Sequence, residues 1–178
     1  MAARIPMMIA SRSMRDMTAR SREGQYVTLG LGAEVFAVPV HIVREILDYQ
    51  APFGIPDGPD YMLGLIDVRG RGTPLINLRV KLGLPAVEPT PATRILVLDV
   101  PLPDRVLSLG LVADRVLEVV TFAQKDIEGA PDVGVPWRSD YIGGVVHRDS
   151  GFVVLFDVAR LLSTTDVAVL AGDVGQAA

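Results

Sequence analysis

Residues Tyr61–Arg79 read YMLGLIDVRGRGTPLINLR. Two apolar runs, Tyr61–Ile66 and Pro74–Leu78, flank the connector DVRGRGT, which carries two arginines and two glycines. Short apolar runs joined by a glycine-containing connector predict a β-hairpin or a strand–loop–strand unit. The chain repeats this unit eighty residues later, over Tyr141–Arg160, YIGGVVHRDSGFVVLFDVAR. Tyr61 then falls on Tyr141, Gly64 on Gly144, Leu65 and Ile66 on Val145 and Val146, Leu75 and Ile76 on Leu155 and Phe156, and Leu82 on Leu162. The connector differs, because Arg69 falls on Asp149. One copy has an arginine–glycine loop and the other does not.

Working outward, the preceding segments repeat as well, at an offset of seventy-three. FAVPVHIVREI matches LGLVADRVLEV, and Glu45 falls on Glu118. Tyr26–Leu31, Val35–Val40, Arg94–Val100, Leu107–Val112 and Arg115–Phe122 are further strand candidates, and Val40–Leu47 reads as a strand or a short bend leading into one. Pro39 inside its run argues for an edge position or a bulge. Loops rich in proline and glycine fall at 48–60 and 123–140, and PAVEPTPAT at 85–93 spaces the two halves. Short helical segments are expected near 80–84 and 157–162, the second because Val158, Leu161 and Leu162 share a face. About five strands per half, several apolar throughout, predict an all-β fold of two small barrels packed on each other.

Composition narrows the function. The chain has 178 residues, 49% of them hydrophobic, ample for a core. No apolar run approaches the roughly 18–20 residues that span a bilayer. With no cysteine there is no thiolate metal site and no cysteine nucleophile. The net charge of −4 makes nucleic acid a poor partner, and the aromatics are too scattered for a stacking groove. Charge is uneven: residues 1–22 hold five arginines against Asp16 alone, a balance of +4 that leaves −8 on the rest. This stretch reads as a disordered tail, or as an over-called start with the initiator at Met14 or Met17; a membrane-surface or partner-binding tail is the sharper alternative.

Catalytic constellations are missing. His41 and His147 each lie in an apolar stretch, and neither HExxH, Walker A nor GxSxG occurs. GLG at 30–32 lacks the third glycine of a dinucleotide loop and is followed by an extended segment. The one enzyme reading left pairs Asp67 with His147 across the two halves. What remains is a protein-binding face. Arg69 at a hairpin connector offers a planar guanidinium for forked bonds, or is a solvated turn arginine. Gly64 allows close approach or marks a bulge. Val43, Glu45 and Ile46 present an apolar patch with one charge, or straddle a core-facing strand.

Tyr61-Met-Leu-Gly-Leu-Ile-Asp-Val-Arg-Gly70, followed by Pro74-Leu-Ile-Asn-Leu-Arg79, resembles the CheW family of bacterial chemotaxis coupling proteins, whose pattern is an aromatic, a glycine, an NLRG turn and a P-I-V-D-L-R strand. Val43-Arg-Glu-Ile46, Gly110-Leu-Val-Ala-Asp114 and Tyr141-Ile-Gly-Gly144 extend the likeness over roughly residues 24–163. The resemblance implies two packed five-stranded SH3-like β-barrels, the first at roughly 35–85 and the second at roughly 94–157, with an N-terminal strand and a C-terminal helix packed across them. Residues 1–22 and 164–178 are then tails, the second with some helical tendency before Gly172. It implies no enzymatic activity, no cofactor and no metal. The function implied is a cytoplasmic adaptor coupling methyl-accepting chemoreceptors to the histidine kinase CheA at receptor arrays, or a related non-flagellar pathway, touching the membrane only through receptors. Positions matching Val43, Glu45, Ile46, Gly64, Arg69 and Gly110 affect receptor or kinase binding in the family, and Asp67 and Gly70 share the connector with Arg69. A groove between the barrels near Arg69 would receive the receptor tip, and the first barrel's edge would meet the regulatory domain of CheA. Asp67 stands where the family has asparagine, Val68 where it has leucine, and Asn77 where it has aspartate, so Asp67 is placed to occupy Arg69.

Overall fold

The computed structural model describes residues 24–129 and 141–171. The basic segment 1–22, residues 130–140 of the second loop and residues 172–178 lie outside the described residues, so the disordered-tail reading of 1–22 falls there too. Among the described residues, β1 (Gln25–Leu31) and β2 (Glu34–Pro39) form a hairpin, and a 3-10 turn, Val40–Ile42, leads into β3 (Val43–Asp48). A second hairpin, β4 (Met62–Val68) and β5 (Arg71–Asn77), is closed by the single turn of helix α1 (Leu78–Lys81). Then follow β6 (Arg94–Pro101), β7 (Val106–Ala113), β8 (Arg115–Thr121), β9 (Ile127–Glu128), β10 (Ile142–Arg148), β11 (Gly151–Phe156), α2 (Val158–Leu161) and α3 (Thr164–Leu170). The fold is all-β, two SH3-like barrels with a few short helices.

The sequence repeat is visible strand by strand. β4–β5 and β10–β11 carry the same register shift, between Met62 and Gly64 and between Ile142 and Gly144. A flanking rung pairs with each: Phe53 with Leu65, and β9 with Val145 and Val146. A one-turn helix follows each hairpin, capped by Asn77 in one copy and by Asp157 in the other. Both side chains accept from the backbone N–H three residues on, the ordinary work of an N-cap.

The barrels do not divide at the 85–93 spacer. One sheet has the order β3-β6-β7-β5-β4 and the other β8-β1-β2-β11-β10-β9. Each repeat therefore lends its first two strands to the other's barrel. This corrects the 35–85 and 94–157 boundaries: one barrel is built from residues 43–113, the other from 25–39 together with 115–156. The exchange is made through two parallel joins, β5 with β7 and β11 with β2. It also makes β2 an interior strand, so Pro39 marks neither the edge position nor the bulge expected of it. The proline is tolerated because it is the strand's last residue, where the ladder gives way to the 3-10 turn.

Apolar strands with no polar face follow from this layout. Alternate residues of β1, β2, β6, β7 and β11 (among them Leu29, Val38, Leu98, Leu109 and Phe156) fill a central layer between the two sheets. Their neighbours fill the barrels: Ala37, Val146, Val153 and Leu155 in one, Ile66, Val68, Leu75, Ile95 and Val97 in the other. A strand buried on both faces has no place for a polar alternation. Leu29, Leu98 and Leu109 are wholly buried, each contributing about 2 kcal/mol of transfer free energy.

The chain passes from one sheet to the other at Asp114, between β7 and β8. Its carboxylate accepts two bonds from Arg79 on α1, at 2.6 Å and 2.9 Å, and one from the Gly32 N–H in the β1–β2 turn at 2.7 Å. Arg115 donates to the Gly32 carbonyl at 2.7 Å. Arg79 chiefly, by hydrogen bonding, holds the Asp114 carboxyl below its usual range. One charged cluster thus joins α1, the crossing point and the opposite barrel.

Within the segment expected as a C-terminal tail, residues 164–170 form a docked helix. Ser163 and Asp166 form a capping box at the start of α3, and Leu170 is buried in the central layer. A lone Ser-x-x-Asp signal, with Leu170 as the helix's one fully buried leucine, is too sparse to reveal a docked helix.

Candidate functional site

The eight residues singled out in the sequence all fall on one barrel, on β3, β4, the β4–β5 turn and β7. They do different work. Gly110 is inside the barrel, where a Cβ would lie 3.0 Å from Leu75 Cδ1 and 3.1 Å from Ile95 Cγ2. Gly64 has φ +141, and a Cβ there would stand 2.1 Å from the Phe53 carbonyl oxygen. That carbonyl accepts the Leu65 N–H at 2.9 Å, so the missing side chain is what lets the Phe53 strand close against β4. Both glycines are buried; their role is packing, and a partner cannot touch them. Val43 is half-buried against the central layer.

The surface set is Glu45, Ile46, Asp67, Arg69 and Gly70. Val68 pairs with Arg71, leaving Arg69 and Gly70 as a two-residue turn with φ +53 and φ +82. Positive φ at both central positions is the hairpin turn matched to strand twist. Asp67 closes it: its Oδ1 accepts the Gly70 N–H at 2.7 Å. Asp67 therefore does not occupy Arg69, and asparagine or aspartate serves this turn equally. Glu45 occupies the arginine instead. Arg69 Nη2 lies 3.2 Å from Glu45 Oε2 and its Nε 3.5 Å from Oε1. Hydrogen bonding to Glu45 raises the Arg69 pKa above its usual value. β3 and β4 are opposite edges of the sheet, so this pair bridges the edges where the barrel curls closed. Arg69 keeps 78% of its side chain exposed, and Ile46, next to Glu45 on β3 but on the alternate face of the strand, is 41% exposed.

Sequence comparison of the two connectors suggested that only one carries the arginine. The second barrel has an equivalent one residue earlier: Arg148 Nη1 donates to Glu118 Oε1 at 3.0 Å, linking β10 to the edge strand β8. The match of Glu45 with Glu118 was the available signal, masked by the shift of the arginine from turn to strand end. Arg148 lies outside the strained turn position; Asp149 and Ser150 form that turn.

Between the barrels lies a groove of about 410 Å³, walled by Pro39, Ile42, Val100, Leu155, Val158 and Ala159, with His41, Gln124 and Asp157 at its polar margin. Arg69 is not part of its lining, against the expectation that placed the arginine beside it. The Asp67–His147 pairing is also corrected. Asp67 is on the sheet of β3–β7 and spent on its turn, while His147 is on the other sheet with its ring 4.9 Å from Phe152. Phe53, which no sequence pattern singles out, is 82% exposed beside β4 and pinned through its backbone. No group of three or more metal-ligating side chains occurs among the described residues, and no helix among them is long and apolar enough to cross a membrane.

Comparison with known proteins agrees with this architecture. The family model described as CheW-like domain matches residues 25–166. The chain belongs to the CheW-like family. It is 30% identical to the chemotaxis protein CheW of Bacillus subtilis, over 82% of this chain and 92% of that protein. It is 28% identical to CheW of Treponema pallidum, over 87% and 91% respectively. The crystal structure of the scaffolding protein TtCheW from Thermoanaerobacter tengcongensis superposes with a TM-score of 0.70 at 22% identity, covering 80% of this chain and 90% of that one. CheW-like proteins are non-catalytic scaffolds, and this chain is one of them.

Proposed function

We propose that this chain is a cytoplasmic chemotaxis adaptor that couples chemoreceptors to a CheA-type histidine kinase, with two separate binding surfaces. The edge of the β3–β7 barrel, formed by Glu45, Ile46 and Arg69, takes the regulatory domain of the kinase. The groove between the barrels takes the hairpin tip of the receptor. The observation that carries the first assignment is Arg69 itself. A side chain other than glycine at φ +53 costs about 1–2 kcal/mol, and the turn would form more easily with glycine there. An exposed arginine kept in a strained position and aimed by Glu45 is the make-up of an interface anchor. The groove is mixed in character, with apolar walls from Val100, Leu155 and Val158 and polar groups from His41, Gln124 and Asp157, which suits an amphipathic helical hairpin tip.

The test separates the two surfaces. Arg69→Glu places a second negative charge against Glu45 and is expected to weaken capture of the CheA regulatory domain at least tenfold, leaving receptor-fragment binding within twofold. Ala159→Trp fills the groove and should do the reverse. Calorimetric titration of each variant with each partner reads both arms. If Arg69→Glu bound the kinase domain as tightly as wild type, the edge assignment would be wrong.

A further inference from the structure

Helix α3 is seven residues long, and a helix of that length is marginal in water on its own. Its contacts must hold it. Leu170 is buried, with Val167 beside it against the central layer. The other anchor is Asp166, at 7% exposure the one buried charged side chain among the described residues. Its carboxylate accepts from the Tyr61 hydroxyl, from Lys81 Nζ and from the Ser163 N–H at 2.8 Å. Lys81 Nζ also sits 4.4 Å from the centroid of the Tyr61 ring. Tyr61 immediately precedes β4 and Lys81 ends α1, so both belong to the β3–β7 barrel. The Tyr61 carbonyl accepts the Asn77 N–H at 2.7 Å, which ties the two anchors together.

At its other end α3 is joined through Leu162 and Ser163 to α2, and α2 supplies Val158 and Ala159 to the wall of the inter-barrel groove. The groove wall is held by its own buried Val158 and Leu161, by β11 at one end and by the docking of α3 at the other. A buried carboxylate held by two donors from the barrel is expensive to undock, since Tyr61 and Lys81 would each lose a charge-assisted bond, while the Ser163 cap stays with the helix. The docking is nonetheless peripheral: no sheet hydrogen bond has to break for α3 to leave.

We infer that α3 is a clasp that holds the α2 wall of the groove in place, with Asp166 as the positioning residue on which receptor-segment binding depends. The inference rests on the groove reading given above for its binding arm and on the geometry alone for its structural arm. Asp166→Asn breaks the clasp at its charge; Leu170→Ala breaks it by a different route, without touching the charge cluster.

Hydrogen–deuterium exchange on the full chain tests the structural arm. Both variants are expected to raise exchange at residues 157–171 at least tenfold, with β1, β2 and β7 unchanged. Protection at 157–161 that stays at the wild-type level, or exchange that rises evenly over both sheets, overturns the clasp. Binding to a purified chemoreceptor cytoplasmic fragment and to the CheA regulatory domain tests the other arm. Asp166→Asn should weaken the receptor fragment about fivefold or more and the kinase domain less than twofold, with Asp166→Glu recovering part of the loss. Equal weakening of both partners, or none for the receptor, overturns the positioning role. Should Ala159→Trp leave receptor binding intact, the groove reading fails instead, and the exchange result still decides the clasp.

Discussion

Two residues of the β4–β5 hairpin show how position separates structural from functional demand. Gly64 and Arg69 both have positive φ, yet the first is required and the second is tolerated against local preference. Gly64→Ala would drive a methyl group into the Phe53 carbonyl, so it should lower stability by at least about 2 kcal/mol, read from the denaturant midpoint. Arg69→Gly relieves the turn and is expected to leave stability within about 1 kcal/mol of wild type, or slightly above it. Kinase-domain binding by Arg69→Gly should still fall at least tenfold. A glycine variant that bound normally would reduce Arg69 to an ordinary turn residue. The sequence offers close approach or a bulge at Gly64 and a binding or a solvated turn arginine at Arg69, and leaves the choice open. Their separation depends on φ and on what lies behind each Cβ. The reverse holds for Asp67 and Asn77, which depart from the family pattern but keep its work, because either side chain can accept from a nearby backbone N–H.

At the scale of elements, most strands were legible because the pattern is copied in the other half. β9 lies in what reads as the loop 123–140, and the first one-turn helix begins at Leu78, two residues before the expected 80–84. The docking of α3 was not legible, since its partners Tyr61 and Lys81 are remote in sequence and a seven-residue segment has little periodicity. Its anchor makes a pH prediction. Burial pushes the Asp166 carboxyl up, but hydrogen bonds from Lys81, Tyr61 and Ser163 outweigh it and bring it down to about 2. Burial, then the bond to Asp166, raises the Tyr61 hydroxyl in turn. A carboxyl lowered from an ordinary value near 3.9 stabilises the fold fully above pH of about 4–5 and ceases to do so as pH falls through about 2. The contribution at neutral pH is about 2 kcal/mol. The stability gap between wild type and Asp166→Asn should therefore be flat from pH 7 to pH 5 and narrow steadily between pH 4 and pH 2, as read from urea midpoints. A gap independent of pH would mean that the carboxylate is not the charged anchor of α3.

For the whole molecule, the duplication was legible and the pairing was not. Both repeats have the same hydrophobic pattern, so nothing local tells β6 whether its neighbour is β3 or β8. The exchange is decided by long-range packing in the central layer, where strands of both repeats alternate, and it is fastened at the crossing residue Asp114. A chain built this way cannot be divided at its most obvious linker. A fragment of residues 24–84 holds three strands of one barrel and two of the other, and residues 94–171 hold the complement. Each fragment alone would expose the central layer and leave β2, β5, β7 and β11 without their parallel partners. Each is therefore expected to lack a cooperative unfolding transition and the dispersed amide spectrum of a packed core. Mixed in equal amounts, they should reassemble, because the 85–93 spacer contributes length and little packing. Independent folding of either fragment, followed by NMR, would show that the repeats close on themselves and that the exchanged strands are not needed for a stable barrel.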